Sequence, residues 1–329
     1  GILIPPSIML VIMADLLSRS VGNLFVAAVF PGLILATLYM AYIVIRCTLN
    51  PSLAPPIAEN VGPQTRTGVA LMILRSFVPP VILIGMVLGS ILGGVATPTE
   101  AAGVGALGAM VLGFFNLVIL PSMGVKEFSL ETSVAGTRSA DFVATTLWRK
   151  LIQFGRTVSG VVDGTAQTNA MIFGLFIGAT FFSYIFRALG GDDLVIGMVE
   201  AMGLGPWGLL FLLLGLVFVL GFFFDWIEIT LIILPVFAPI IAQLDFGDHV
   251  AQIDVVYWFA VLIAINLQTS FLTPPFGFAL FYLKAVAPPE VKLQQIYRGI
   301  IPFVLLQLFG LALVILFPEI ALWLPRVLL

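Results

Sequence analysis

An apolar run from residue 255 to residue 283 is interrupted at its centre by Ser270-Phe-Leu-Thr-Pro-Pro-Phe-Gly277. No soluble core explains that pattern. Roughly 20 apolar residues suffice to cross a bilayer, so the centre of this run falls near the membrane midplane. Pro274 and Pro275 carry no N–H, which leaves carbonyls around Ser270 and Phe271 without helical partners. Unpaired carbonyls in hydrocarbon cost several kcal/mol each, so such a break survives only where protein, water or an ion satisfies it. It reads either as an ion or substrate site at a discontinuous helix, or as a proline kink repaired by a neighbouring helix. The start of the chain bears on that choice. Gly1-Ile-Leu-Ile-Pro-Pro-Ser7 precedes a second apolar run, and its Leu3-Ile4-Pro5-Pro6-Ser7 lines up with Leu272-Thr273-Pro274-Pro275-Phe276. Two broken helices at corresponding places predict an internal repeat, the sequence pointer to a transporter's central site.

Composition sets the class. With 60% hydrophobic residues, 9% charged and a mean hydropathy of +1.17, the chain is expected to be an all-α polytopic membrane protein. Apolar runs of this length exclude the alternating strands of a β-barrel. A net charge of −3 says little about partners. Cys47 has no second cysteine to pair with, and with His249 the sole histidine no Cys/His metal cluster can form. His249 reads as a loop residue.

In chain order, residues 1–14 are expected to be the second half of a broken helix, and 15–120 to hold membrane spans near 21–45, 77–94 and 97–120. The Thr97-Pro-Thr-Glu100 stretch reads as a helix N-cap. Residues 121–165 form the most charged segment, where Phe142, Leu147, Leu151, Ile152 and Phe154 alternate with cations as in an interfacial amphipathic helix. A span at 166–186 follows, then an acidic loop. The next apolar run, about 206–243, is split by Asp225 and Glu228, and acid-rich loops flank it on both sides. This suits a re-entrant hairpin with its tip at Asp225-Trp-Ile-Glu-Ile-Thr230. The broken helix at 255–283, a basic loop and a last span at 300–324 complete the second repeat. Placing the cationic loops 46–75, 126–156 and 284–298 in the cytoplasm puts 192–200 and 245–254 outside if the Asp225 segment is re-entrant. The two Pro-Pro breaks then lie in antiparallel segments, as an inverted repeat requires.

At Gly1-Ile-Leu-Ile-Pro-Pro-Ser7, Gly93 to Ala102 (GGVATPTEAA), Gly221 to Pro235 (GFFFDWIEITLIILP) and Asn266 to Gly277 (NLQTSFLTPPFG), the sequence resembles the large membrane subunit of the tripartite ATP-independent periplasmic (TRAP) transporters, the DctM-like family. The motifs fall in family order across nearly the whole chain. The resemblance implies an elevator-type secondary transporter in the bacterial inner membrane, coupled to sodium and needing no other cofactor. It also implies a small DctQ-like membrane subunit, a DctP-like periplasmic binding protein and a small carboxylate as substrate. By the same comparison the family's first half, with its own hairpin, is expected to precede Gly1. Two residues depart from the family pattern: Ser270 stands where glycine is common, and Glu228 where a small or uncharged residue is.

The expected cation ligands are Ser270, Thr273, Gly277, Gly221, Asp225, Thr230 and Gly1. Pro5, Pro6, Ser7, Pro274, Pro275 and Glu228 are expected beside the substrate. Carbonyls at the break suit the cation, and the half-helix beginning at Phe276 suits an anionic group. Asp225 is either a ligand or the cap of the second hairpin helix. Glu228 reads as a proton carrier, a cation ligand or a salt-bridge partner. Three rivals remain: a carboxylate symporter needing no binding protein, a membrane enzyme using Asp225 and Glu228 as an acid pair, and a channel. An intramembrane aspartyl protease would need a second aspartate on a facing span, and none is present.

Overall fold

The computed structural model describes residues 3–54, 65–119, 147–274, 277–288 and 290–328. Thirteen α-helices carry its regular structure, and no strand occurs among the described residues. By length and composition, five helical segments can cross a membrane: Val21–Leu49, Arg66–Leu92, Pro98–Ile119, Trp148–Ala188 and Leu293–Leu316. The chain is thus an all-α, multi-pass membrane protein. Two compact units divide it, Pro55–Phe173 and a larger one made of Gly1–Ala54 with Gly174–Leu329.

The larger unit is built around a helix that is almost entirely buried. In chain order its first helices are α1 (Ile8–Leu16) and α2 (Val21–Leu49). The smaller unit contains α3 (Arg66–Ser76), α4 (Val78–Leu92) and α5 (Pro98–Phe114). Helix α6 (Leu147–Ala188) passes from one unit into the other, and α7 (Gly191–Ala201), α8 (Pro206–Leu220), α9 (Trp226–Ile241) and α10 (Val255–Ser270) follow. The chain ends with α11 (Phe278–Val286), α12 (Leu293–Leu316) and α13 (Glu319–Leu328). The central helix is α10, which packs against α2, α8, α9 and α12 and exposes none of Trp258, Phe259 or Leu262. A helix that carries Asn266, Thr269 and Ser270 among apolar residues needs protein rather than lipid against its polar face, and α10 has that cover.

Three apolar helices of 10–17 residues, α8, α9 and α10, are too short to span. At 15, 16 and 16 residues, α8, α9 and α10 are roughly 22–24 Å long, against about 30 Å of hydrocarbon. Their outer ends share one place. The Trp207 ring lies 5.3 Å from Phe246, 4.9 Å from His249 and 6.1 Å from Trp258, between centroids. The start of α8, the loop after α9 and the start of α10 therefore meet at one end. It follows that α8 and α9 form a helical hairpin and that α10 runs beside α8 in the same direction. His249 is a loop residue with a partner: its Nε2 donates to the Ile315 carbonyl at 2.7 Å, while Trp258 Nε1 donates to the Val314 carbonyl at 2.9 Å. Pro318 has no N–H to offer Val314, so the tryptophan satisfies a carbonyl that the helix cannot.

Proline also relocates two boundaries. The last apolar run, expected as one span at 300–324, is two helices: α12 begins at Leu293 and stops at Leu316, ahead of Pro318, and α13 is tied back by Arg326 to Asp254 at 2.7 Å. In the smaller unit the helical segment starts at Arg66, capped by Thr65, well before the expected residue 77, and Pro79 and Pro80 open a fresh helix after Phe77. Thr97 is the expected N-cap of α5, and with Glu100 it forms a capping box. Residues 120–146, with Phe142, lie outside the described residues. From Leu147 onward, however, the expected interfacial segment and the span at 166–186 are one continuous 42-residue helix. Its glycines, Gly164 among them, do not break it, since each weakens a helix by only about 1 kcal/mol. At roughly 63 Å it is about twice the hydrocarbon thickness, so Arg149, Lys150 and Arg156 can lie beyond the apolar layer.

Candidate functional site

The hairpin turn and the broken helix come together at Gly221 and Ser270. A Cβ placed on Gly221 would lie 3.0 Å from the Ser270 Cβ and 3.3 Å from the Phe218 carbonyl oxygen, so any larger residue would push the two elements apart by a few tenths of an ångström. Gly221 ends α8 and Ser270 ends α10. Two parallel helices thus bring their C-termini, the negative ends of their dipoles, to one point. At the α8 end, the Phe222 N–H donates to the Val219 carbonyl rather than to Phe218. At the α10 end, the backbone N–H groups of Leu272 and Thr273 both turn back to the Thr269 carbonyl at 3.0 Å. Beyond the break, Gly277 donates to the Thr273 carbonyl at 2.9 Å and Ala279 to the Phe271 carbonyl at 3.2 Å. The proline break is therefore repaired in part by its own continuation, α11.

Every hydroxyl here spends its proton on its own helix. Thr269 Oγ1 donates to the Asn266 carbonyl at 2.6 Å, Ser270 Oγ to Leu267 at 2.6 Å and Thr273 Oγ1 to Thr269 at 3.1 Å. Thr230 Oγ1 donates to Trp226 at 2.6 Å. All four residues are buried. What remains on these oxygens is lone pairs, and Glu228 Oε2, Asn266 Oδ1 and Gln268 Oε1 are further buried acceptors that no donor meets among the described residues. The buried oxygens of Ser270 and Thr273, beside two helix C-termini, suit a small hard cation.

The expected ligands fall into different positions. Gly221 and Ser270 are in contact, and Thr273 and Gly277 lie in the adjoining loop. Asp225 caps α9, its Oδ1 accepting from the Trp226 N–H at 2.7 Å, the second of its two expected roles. The turn itself is 221–224, so Thr230 lies one turn inside α9 rather than at the tip. Ser7 caps α1, with Oγ accepting from Leu10 at 3.4 Å, and α1 packs on α9 and α10. Pro5 is buried beside it and Pro6 is exposed. Gly1 and Pro275 lie outside the described residues. Past the break, Gly277 caps α11, whose N-terminus, like that of α9, presents the positive end of a dipole.

Sequence reasoning missed Asn266, Thr269 and Arg187. Asn266, Thr269, Ser270 and Thr273 recur at i, i+3, i+4 and i+7, a polar stripe on an otherwise apolar helix that periodicity could have disclosed. Arg187 gave no motif. Its Nη2 donates to the Pro235 carbonyl at 2.7 Å, one that Pro239 leaves without a helical N–H. Around it a cavity of about 600 Å³ is lined by Leu16, Thr180, Ser183, Tyr184, Leu231 and Pro235, among others.

Residues 1–320 match the family described as "Tripartite ATP-independent periplasmic transporter, DctM component". The chain is 30% identical over 99% of its length to a sialic acid TRAP transporter large permease protein of Vibrio cholerae. It is 27% identical over 99% to a C4-dicarboxylate TRAP transporter large permease protein of Pseudomonas aeruginosa, and 28% over 98% to an ectoine/5-hydroxyectoine one of Ruegeria pomeroyi. It spans 64–65% of the length of these relatives. The chain belongs to the DctM component family of the tripartite ATP-independent periplasmic transporters.

Proposed function

We propose that this chain is the ion- and substrate-handling part of a secondary transporter that couples sodium entry to import of a small carboxylate across the bacterial inner membrane. A periplasmic binding protein delivers the substrate, and a small membrane subunit accompanies the large one. The observation that carries this reading is the meeting of two half-helix C-termini at Gly221 and Ser270 among buried oxygens that have no proton left to give. Sodium requires such a place, and an anion is repelled from it. The anion is served instead by the cavity at Arg187, whose guanidinium can pair a carboxylate. The varied substrates of the relatives, C4-dicarboxylate, sialic acid and ectoine, all carry a carboxylate group. Hairpin and broken helix move together in this mechanism, carrying both sites past the rest of the protein as an elevator.

Thr273 tests the coupling. Its hydroxyl keeps lone pairs at the break, and valine removes the oxygen while keeping the shape. Thr273→Val is expected to raise the sodium concentration for half-maximal uptake roughly 10-fold in the complete transporter. Unchanged sodium dependence in a folded variant would reduce Thr273 to its bond with the Thr269 carbonyl and move the ion elsewhere.

Topology supplies a second test. The contact between Trp207 and Phe246 means that the two ends of the hairpin open on the same side. Cysteines introduced at Asp193 and at Asp248, with Cys47 replaced, are expected to react with an impermeant thiol reagent from the periplasm. Labelling from opposite sides would exclude a re-entrant hairpin.

A further inference from the structure

Asn266 is 1% exposed and lies one turn before Ser270 on the same face of α10, the face that packs on α8. Its Nδ2 donates to the Leu214 carbonyl at 2.7 Å. A carbonyl can only accept, so this bond fixes which way round the amide stands, and Oδ1 must be the other atom. That oxygen is buried and no donor among the described residues meets it. The nearest hydroxyls on its own helix, Thr269 and Ser270, have both given their protons to backbone carbonyls. An amide oxygen taken out of water without a partner loses its hydration with nothing in return, which is a reason for something to meet it.

We infer that Asn266 Oδ1 is a further ligand of the coupling cation, acting with Ser270 across one helical turn. Side chains at i and i+4 stand about 5–6 Å apart at Cβ, close enough for two oxygens to converge on one ion. Both residues face the C-terminal part of α8, where the Phe218 carbonyl has lost the N–H four residues on. The cation therefore sits between the hairpin arm and the broken helix, so its binding fastens those two elements to each other. The assignment rests on the sodium-coupled reading above and adds to it a residue, a location and a consequence for the moving block.

The test separates the oxygen from the pin that Asn266 also supplies through Leu214. In the purified complete transporter, binding of radiolabelled sodium is measured for the unsubstituted protein, Asn266→Leu and Asn266→Asp, with lithium and potassium as competitors. Leucine removes oxygen and donor together. Aspartate keeps an oxygen at the same reach and loses the donor to Leu214. Asn266→Leu is expected to raise half-saturation about 10- to 100-fold. Asn266→Asp is expected to stay within about threefold and to change the preference among the three cations, because the ligand now carries charge. Asn266→Ala takes the place of leucine if that variant does not fold. Equal weakening by leucine and aspartate in folded protein would make Asn266 a structural pin and overturn the assignment. So would unchanged binding in Asn266→Leu. Absence of sodium binding by the unsubstituted transporter would overturn the coupling-ion reading itself, and the assignment with it.

Discussion

Gly277→Ala is expected to lower transport by on the order of 100-fold while leaving the protein folded in the membrane. At this position an added methyl has nowhere to go. Its carbon would lie 2.9 Å from the carbonyl oxygens of Phe271 and Thr273 and 3.1 Å from the Leu272 carbonyl carbon. All three are backbone atoms, so no side-chain rotation can relieve the contact and the loop of the break must move. The displaced carbonyls are the ones that the Gly277 and Ala279 N–H groups now hold. Gly215→Ala is the matched control: it lies in α8, with nothing within 4 Å of the added carbon. There the substitution should be neutral or slightly stabilising, since alanine is the better helix former by about 1 kcal/mol. Initial uptake rates for both variants, beside their thermal unfolding in detergent, decide the matter. Transport by Gly277→Ala within twofold of the parent would show that the backbone of the break can shift without consequence, and the cation would not be held there.

The sequence disclosed those parts of the fold that depend on local chemistry. The consecutive Pro274 and Pro275 remove two N–H groups in succession and so point to a break, and Thr97 with Glu100 points to an N-terminus, so both were legible from composition and spacing. The hairpin was legible because acidic residues interrupt an apolar run too short, on either side, to cross. What could not be read was pairing over distance. That Gly221 meets Ser270 depends on α8 and α10 lying parallel, which is set by contacts among Trp207, Phe246, His249 and Trp258 at their far ends. Asn266 was within reach as the first member of a buried polar stripe, yet its bond to Leu214 is a tertiary fact. The continuity of α6 was hidden for the opposite reason: cations and apolar residues share its first turns, and sequence does not distinguish a helix leaving the membrane from one lying along it.

Arg187→Ala is expected to weaken uptake by roughly 100-fold or more when substrate is scarce, while sodium binding at the hairpin changes little. Two effects combine. Prolines at 235 and 239 leave the Leu231 and Pro235 carbonyls of α9 without helical donors, and both residues line the cavity. The guanidinium now satisfies one of these carbonyls, and alanine would leave it unpaired. On the proposed function the same group provides the positive charge for a substrate carboxylate in a cavity whose other walls are largely apolar, and each hydrogen bond to a charged group is worth about 1.5–3 kcal/mol. Lysine separates the contributions. It keeps the charge but presents a compact ammonium in place of the planar fork of guanidinium donors, so it cannot pair the Pro235 carbonyl and a carboxylate with the same geometry. Arg187→Lys should therefore fall between the parent and Arg187→Ala in apparent substrate affinity. Equal uptake by parent, lysine and alanine variants across substrate concentrations would confine Arg187 to bracing the kinked hairpin arm, and the anion would have to be bound at the N-termini of α9 and α11.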